Sequence, residues 1–224
     1  MELDQLEEGW ATVQMGITKL INIIEGVPES PMDSETRMKM YTTVYNLGSP
    51  PSDYSEELYK RYEGVFNDYL SSKVLPAIQE NRDDDVSMLE ELVYRWDNHK
   101  DAGFGCFRKI VYEAMKVRVK DAVITLINQE RDGEEIDQTL LMEVLEIFQN
   151  MECYVDGFET AFLDDTVDYY TKKVSNWTPG DYTVKAEECL KKEKDRVSQY
   201  LRYSTKEKLL KVVQDVLNTV STVA

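Results

Sequence analysis

One histidine, His99, stands in a chain of 224 residues. That count excludes metal centres built from several histidines and acid–base pairs of histidines. A catalytic triad would have to use His99 with Asp97 or Asp101, and no glycine-flanked nucleophile accompanies them. His99 is therefore read as a structural or solvated side chain. Cysteine is equally sparse. Cys106, Cys153 and Cys189 are widely spaced and odd in number, which suits free thiols in a reducing compartment and not a disulfide framework. Cys106 in CFRKIVY has no second cysteine at zinc spacing. Only 10 glycines and 6 prolines interrupt the chain, too few for an all-β fold with its many turns.

Positive charge is in deficit. Lys and Arg number 26 against 43 Asp and Glu, a net charge of −17. Phosphate backbones and anionic bilayers repel such a chain, so nucleic-acid and membrane partners are not expected. No apolar run approaches the length of a membrane span. The segment MELDQLEEGW has neither a basic region nor an apolar signal core. Cytoplasm and nucleus are the expected compartments. The acidic pairs Glu134–Glu135, Asp164–Asp165 and Glu187–Glu188 fall on helical surfaces of a chain that is acidic throughout, and they read as solvated faces. Asp83-Asp84-Asp85 lacks the glycine and distal glutamate of a calcium loop, and Gly103-Phe-Gly105 is followed by no phosphate-loop lysine. No catalytic residue, metal ligand or cofactor site emerges, and none is expected.

What the chain does have is helical periodicity. Leu6, Trp10, Val13, Ile17, Leu20, Ile21 and Ile24 mark a first amphipathic helix, stopped by Gly26 and Pro28. SETRMKMYTTVYN, residues 34–46, forms a second, with Ser34 as its start. A third begins near Ser55 with Leu58, Tyr59, Tyr62, Val65, Phe66, Tyr69 and Leu70 as its stripe, and Pro76 starts a turn or kinks it. Ser87 and Glu90 have capping-box spacing before Met88, Leu92, Val93 and Trp96. Two glycines, Gly103 and Gly105, then break the pattern. A long helix from Cys106 to Gly133 follows, then one opened by Ile136-Asp137, and one over residues 154–173 with Phe158, Phe162, Val167 and Tyr170 inward. Asp181 caps a helix carrying Ala186, Leu190, Val197, Tyr200 and Leu201. Ser204 and Glu207 open the last, with Leu210, Val213, Leu217 and Val220. The mixed run Lys191–Arg196 alternates in sign, which favours ion pairs within a helix. The sum is an all-α chain of about nine helices, dividing at residues 1–102 and 103–224.

Met38, Tyr41, Val44 and Tyr45 share one side of the second helix. Tyrosine and methionine bodies of that kind either plug a core or present a protein-binding face, and periodicity alone favours the core. A resemblance shifts the balance. Met38-x-x-Tyr41-Thr42-x-Val44-Tyr45-Asn46 resembles the second helix of a cullin N-terminal domain, with its flanking helices at 10–24 and 54–70. CFRKIVY (106–112), LINQERDGEEID (126–137), FLDDTVDYYTKKVS (162–175) and ECLKKEKDRVSQYLRYST (188–205) are similar to later cullin segments, in the same order. The chain is nearest in look to the cullin-1 branch, in its plant form.

The resemblance implies stacked helical bundles of cullin-repeat type, the first incomplete and adaptor-facing, the second at 103–224. It implies a non-catalytic scaffold fragment that binds the BTB-fold adaptor of SCF-type cullin–RING ubiquitin ligases, in ubiquitin-dependent protein degradation. Met38, Tyr41, Val44, Tyr45, Asn46 and Leu47 carry over to the adaptor face. Arg37 stands where cullin-1 members often have an aromatic residue. Ubiquitin transfer in the family needs a C-terminal half that recruits a RING-box subunit, and no RING-box subunit is expected on these residues. In the family, the run from Tyr94 to Lys100 continues into a long helix that supplies the other half of the adaptor face. That stretch is missing after Lys100, so adaptor binding is expected to be weakened. The alternative is a decayed or spliced cullin-like product that binds no adaptor.

Overall fold

A computed structural model describes residues 2–221, apart from 52, 82, 101–103, 179 and 181. Among the described residues there are nine helices and no strand. We number them α1 (Glu2–Ile24), α2 (Ser34–Leu47), α3 (Ser55–Tyr69, then a π-turn at Leu70–Val74, then Leu75–Glu80) and α4 (Asp85–His99). Next come α5 (Phe104–Phe107, a π-turn at Arg108–Tyr112, then Glu113–Asp132), α6 (Gln138–Asn150) and α7 (a π-turn at Val155–Glu159, then Thr160–Val174). Tyr182–Gln199 forms α8, and a 3-10 turn at Tyr203–Thr205 leads into α9 (Lys206–Ser221). No helix among the described residues is long and apolar enough to cross a membrane.

The helix starts differ from the expected ones for one physical reason. Asp33, not Ser34, caps α2: its carboxylate accepts from the Thr36 amide at 2.6 Å, and that bond holds its pKa below the usual value. Asp84, not Ser87, caps α4, accepting from the Val86 amide at 3.1 Å and the Ser87 hydroxyl at 2.7 Å. A carboxylate is the stronger acceptor for the free amides of a first turn, and it favours the dipole as well. Asp137 caps α6, and Gly133, at φ 98°, ends α5 in the left-handed conformation that glycine adopts freely. Pro76 ends no helix. The π-turn before it runs on through an N–H of Leu75 bonded to the Leu70 carbonyl, and the proline sits in the first turn beyond, where its lost donor is tolerated. The cap expected at Asp181 lies outside the described residues.

One continuous core runs from Val13 and Ile17 in α1 to Val213 and Leu217 in α9. It passes without interruption through the α4–α5 junction. Phe107 is wholly buried there, 5.5 Å from the Trp96 ring and 5.9 Å from the His99 ring. Burying a phenylalanine is worth roughly 1.5–3 kcal/mol, so the junction is a packed joint. Three stripe positions turn out otherwise than their spacing suggests. Tyr59 and Val167 are exposed, and Thr166 takes the inward place in α7 because its hydroxyl accepts from Arg131 at 2.9 Å. Leu209, not Leu210, is the buried leucine of α9.

His99 is fully buried and not solvated. Its Nδ1 lies 2.5 Å from the Arg95 carbonyl and its Nε2 3.0 Å from the Tyr69 hydroxyl. That hydroxyl donates to Glu25 at 2.5 Å, and Arg95 pairs with the same Glu25 oxygen at 2.7 Å. The ring of contacts ties the end of α1 to α3 and α4. Burial lowers the His99 pKa below its ordinary value.

Candidate functional site

α2 has two unlike stripes. Thr36, Met40, Thr43 and Leu47, spaced by four, three and four, face inward to varying degrees. Leu47 is 3% exposed and packs with Leu6 and Leu58, with Trp10 and Tyr54 around them. Met40 and Leu47 seat over Gly16 and Gly9 of α1, where an added Cβ would overlap them. Two side-chain-free notches seven residues apart thus receive two α2 side chains seven residues apart. The close approach of α2 to α1 uses both glycines, Gly9 more strictly because a buried leucine fills its notch. Beyond α2, the Tyr54 amide donates to the Leu47 carbonyl at 2.8 Å and fastens the loop to α3.

The other stripe points to solvent. Met38 is 64% exposed, Tyr41 70%, Val44 45% and Tyr45 63%, and Asn46 is exposed beside them. The Tyr41 and Tyr45 rings stack at 6.4 Å between centroids with 18° between planes. Five of the six residues read from the sequence thus lie together on the solvent side of α2. Leu47 is the correction. At i+3 from Val44 but i+6 from Tyr41, it lies on the α1 side, where it anchors the helix instead of meeting a partner.

An apolar groove of about 280 Å³ continues the face between α1, α2 and α3. Val44 forms one wall, Tyr59 and Tyr62 the other, and Trp10 and Leu58 the floor. Spacing places Tyr59 inward, and the structure turns it out to this groove. Its neighbour Leu58 carries the α3 core contact there, a distinction that a run of apolar residues does not reveal. Arg61 braces the groove: it pairs with Glu7 of α1 at 2.7 Å and with Glu57 at 2.9 Å, and lies 5.9 Å from the Trp10 ring centroid. The hydrogen bond from Arg61 holds the Glu7 pKa below the ordinary carboxylate range.

Exposed aromatic and thioether surface beside an apolar groove is suited to protein docking. No nucleophile–base pair lies on this face among the described residues, His99 being buried away from it. No cluster of three or more His, Cys, Asp or Glu among the described residues is placed to hold a metal. The paired acids stay mostly in solvent, with Asp165 engaged by the Asn128 amide at 2.8 Å. Four residues, 100–103, separate His99 at the end of α4 from Phe104 at the start of α5, too few for a long helix between them.

A family model, the cullin alpha solenoid domain, matches residues 10–102 and 100–222. Cullin-1 of Oryza sativa subsp. japonica is 44% identical over 252 positions, covering 96% of this chain and 34% of that protein. Putative cullin-like protein 2 of Arabidopsis thaliana is 39% identical over 251 positions, covering 95% of this chain and 67% of that protein. Cullin-like protein 3 of Arabidopsis thaliana is 32% identical, with 93% of this chain and 94% of that protein covered. The chain therefore spans about a third of the length of the rice cullin-1. The first two alignments run over more positions than the 224 residues of the chain, so those relatives carry residues with no counterpart here. The two stretches matched by the family model meet at residues 100–102, between α4 and α5.

Proposed function

The chain belongs to the cullin family, and from that premise we propose that it is a non-catalytic scaffold fragment that docks the BTB-fold adaptor of SCF-type ubiquitin ligases through α2. The observation that carries this reading is the outward stripe Met38, Tyr41, Val44 and Tyr45 on a helix whose inward stripe is already occupied by α1. Tyr41 and Tyr45 are the anchors, since their rings fill pockets while their hydroxyls reach a polar rim. The fragment recruits no RING-box subunit and supports no ubiquitin transfer. In the cytoplasm and nucleus it competes with longer cullins for adaptor by mass action.

The affinity is low. Two tyrosines covered by a partner bury about 150–250 Å² each, and the groove adds a part of what a stable interface needs, about 800 Å² per partner. The missing helix after α4 removes the rest. Titration of the adaptor–F-box pair with this chain tests the reading. We expect saturable binding that falls at least tenfold in Tyr41→Ala/Tyr45→Ala, with melting unchanged. Equal binding by both forms would remove α2 from the interface.

A second reading is favoured by the four-residue α4–α5 connection: with half the face gone, the product binds no adaptor at all. Absence of binding by a chain that melts cooperatively and elutes as a monomer supports that reading over the first.

A further inference from the structure

The groove between α1, α2 and α3 is uncharged in a strongly acidic chain. None of the described residues that line it is charged, although the net charge is −17. Its one serine, Ser55, already donates its hydroxyl to Asp53 at 2.5 Å. Arg61, which braces the groove, is matched by Glu7 and Glu57. A charged guest would find no counterpart there, and burying it would be costly. Val44 belongs to two surfaces. It is part of the outward stripe with Tyr41 and Tyr45, and it forms one wall of the groove. It stands three residues from Tyr41 and one from Tyr45, within about 4.5 Å of helix rise of either. A protein that covers the two tyrosines therefore reaches the mouth of the groove. Tyr59, 63% exposed, waits on the opposite wall.

We propose that the groove receives one large apolar side chain of the adaptor, leucine- to phenylalanine-sized, from the surface that covers Tyr41 and Tyr45. The inference rests on the reading of α2 as the adaptor face and adds a second anchor point, walled by α3. Area calls for one. Two covered tyrosines supply about half of the roughly 800 Å² that a stable interface takes per partner, and Tyr59 brings a third ring into the contact. The groove holds about 280 Å³, below the roughly 300 Å³ at which drug-sized ligands begin to fit. The guest is therefore a side chain and not a separate small molecule. Tyr59 and Val44 form the grip on it, and Trp10 is the floor it rests on.

Titration of the adaptor–F-box pair with Tyr59→Ala and Tyr59→Phe, beside the parent and Tyr41→Ala/Tyr45→Ala, tests this. We expect Tyr59→Ala to bind at least fivefold more weakly. Tyr59→Phe should stay within about twofold of the parent, because the ring and not its hydroxyl makes the wall. Position 59 is exposed, so circular dichroism and melting should not change. If Tyr59→Ala does not fold, the Trp10 emission replaces it, taken as the difference between the parent and Trp10→Phe. It should shift to the blue as adaptor saturates the chain, since water leaves the groove floor. Unchanged affinity in Tyr59→Ala, or unshifted Trp10 emission, overturns the groove alone if Tyr41→Ala/Tyr45→Ala still binds weakly. Equal binding by all four forms, or none by the parent, overturns both readings. A dimer of the parent that Tyr59→Ala returns to monomer makes a second copy the guest and overturns the adaptor as occupant.

Discussion

Met40 of α2 occupies the space that a side chain at Gly16 of α1 would fill. Two turns further along, Leu47 does the same over Gly9, with Thr43 close by. The two contacts differ in how much they can give. At Gly16 the obstacle is the flexible end of a methionine; at Gly9 it is a branched leucine that is itself buried. Gly16→Ala should therefore be nearly neutral, its clash offset by about 1 kcal/mol of helix propensity. Gly9→Val should cost roughly 1–3 kcal/mol by overpacking, read as a lowered denaturation midpoint.

The opposite sides of α2 should separate stability from binding. Leu47→Ala removes a side chain from the Leu6–Leu58 cluster and should cost about 2–5 kcal/mol. Tyr45→Ala, at an exposed position, should change stability by no more than about 0.5 kcal/mol. Chemical denaturation of the two variants, with adaptor titration of each, checks the contrast.

Acid should weaken the fold through His99 before the carboxylates titrate. The folded pKa of His99 is lowered by burial, whereas an unfolded histidine titrates near 6.5. The unfolded chain thus binds a proton that the native chain does not. Stability is fully present above about pH 6.5 and falls as the pH drops below it, by at most about 1.4 kcal/mol per unit. Glu25, Arg95 and Tyr69 are the charged and titratable groups gathered around the imidazole. Because His99 is the single histidine, His99→Gln should flatten the stability curve between about pH 6.5 and 5.5. Urea melts across that range measure the slope.

Glu193 should be the least replaceable acid in the chain. It is buried and takes bonds from Arg131, Arg196 and the Tyr170 hydroxyl. Glu193→Gln leaves the buried Arg131 with Asp165 at 3.8 Å as its nearest counter-charge among the described residues, while Arg196 keeps Glu130 at 2.7 Å, and should cost about 3–5 kcal/mol. A comparison with Glu187→Gln, exposed on the same helix, isolates the effect of burial in thermal melts.

Much of this architecture is legible in the amino-acid pattern. The helices and their order follow from spacings of three and four, and Gly133 and Asp137 mark their ends as expected. The orientation of α2 does not follow from periodicity. Its outer stripe, with two tyrosines, a methionine and a valine, is more apolar than its inner stripe of two threonines, a methionine and a leucine. The rule that apolar residues turn inward fails here because α1 offers glycine notches that seat Met40 and Leu47. Only the family resemblance points Tyr41 and Tyr45 outward. The buried Glu193 and Arg196 are hidden in the alternating run Lys191–Arg196. Charge alternation predicts their pairing within α8, found at 2.6 Å, but not the interhelical Arg131 that takes them into the core.

The two faces of α2 give the helix two vocabularies that can change separately. Substitutions at positions 38, 41 and 45 can retune the grip on a partner while the seat on α1 stays as it is. A lineage that lost a partner on this face would therefore be free to lose those tyrosines long before it lost the helix.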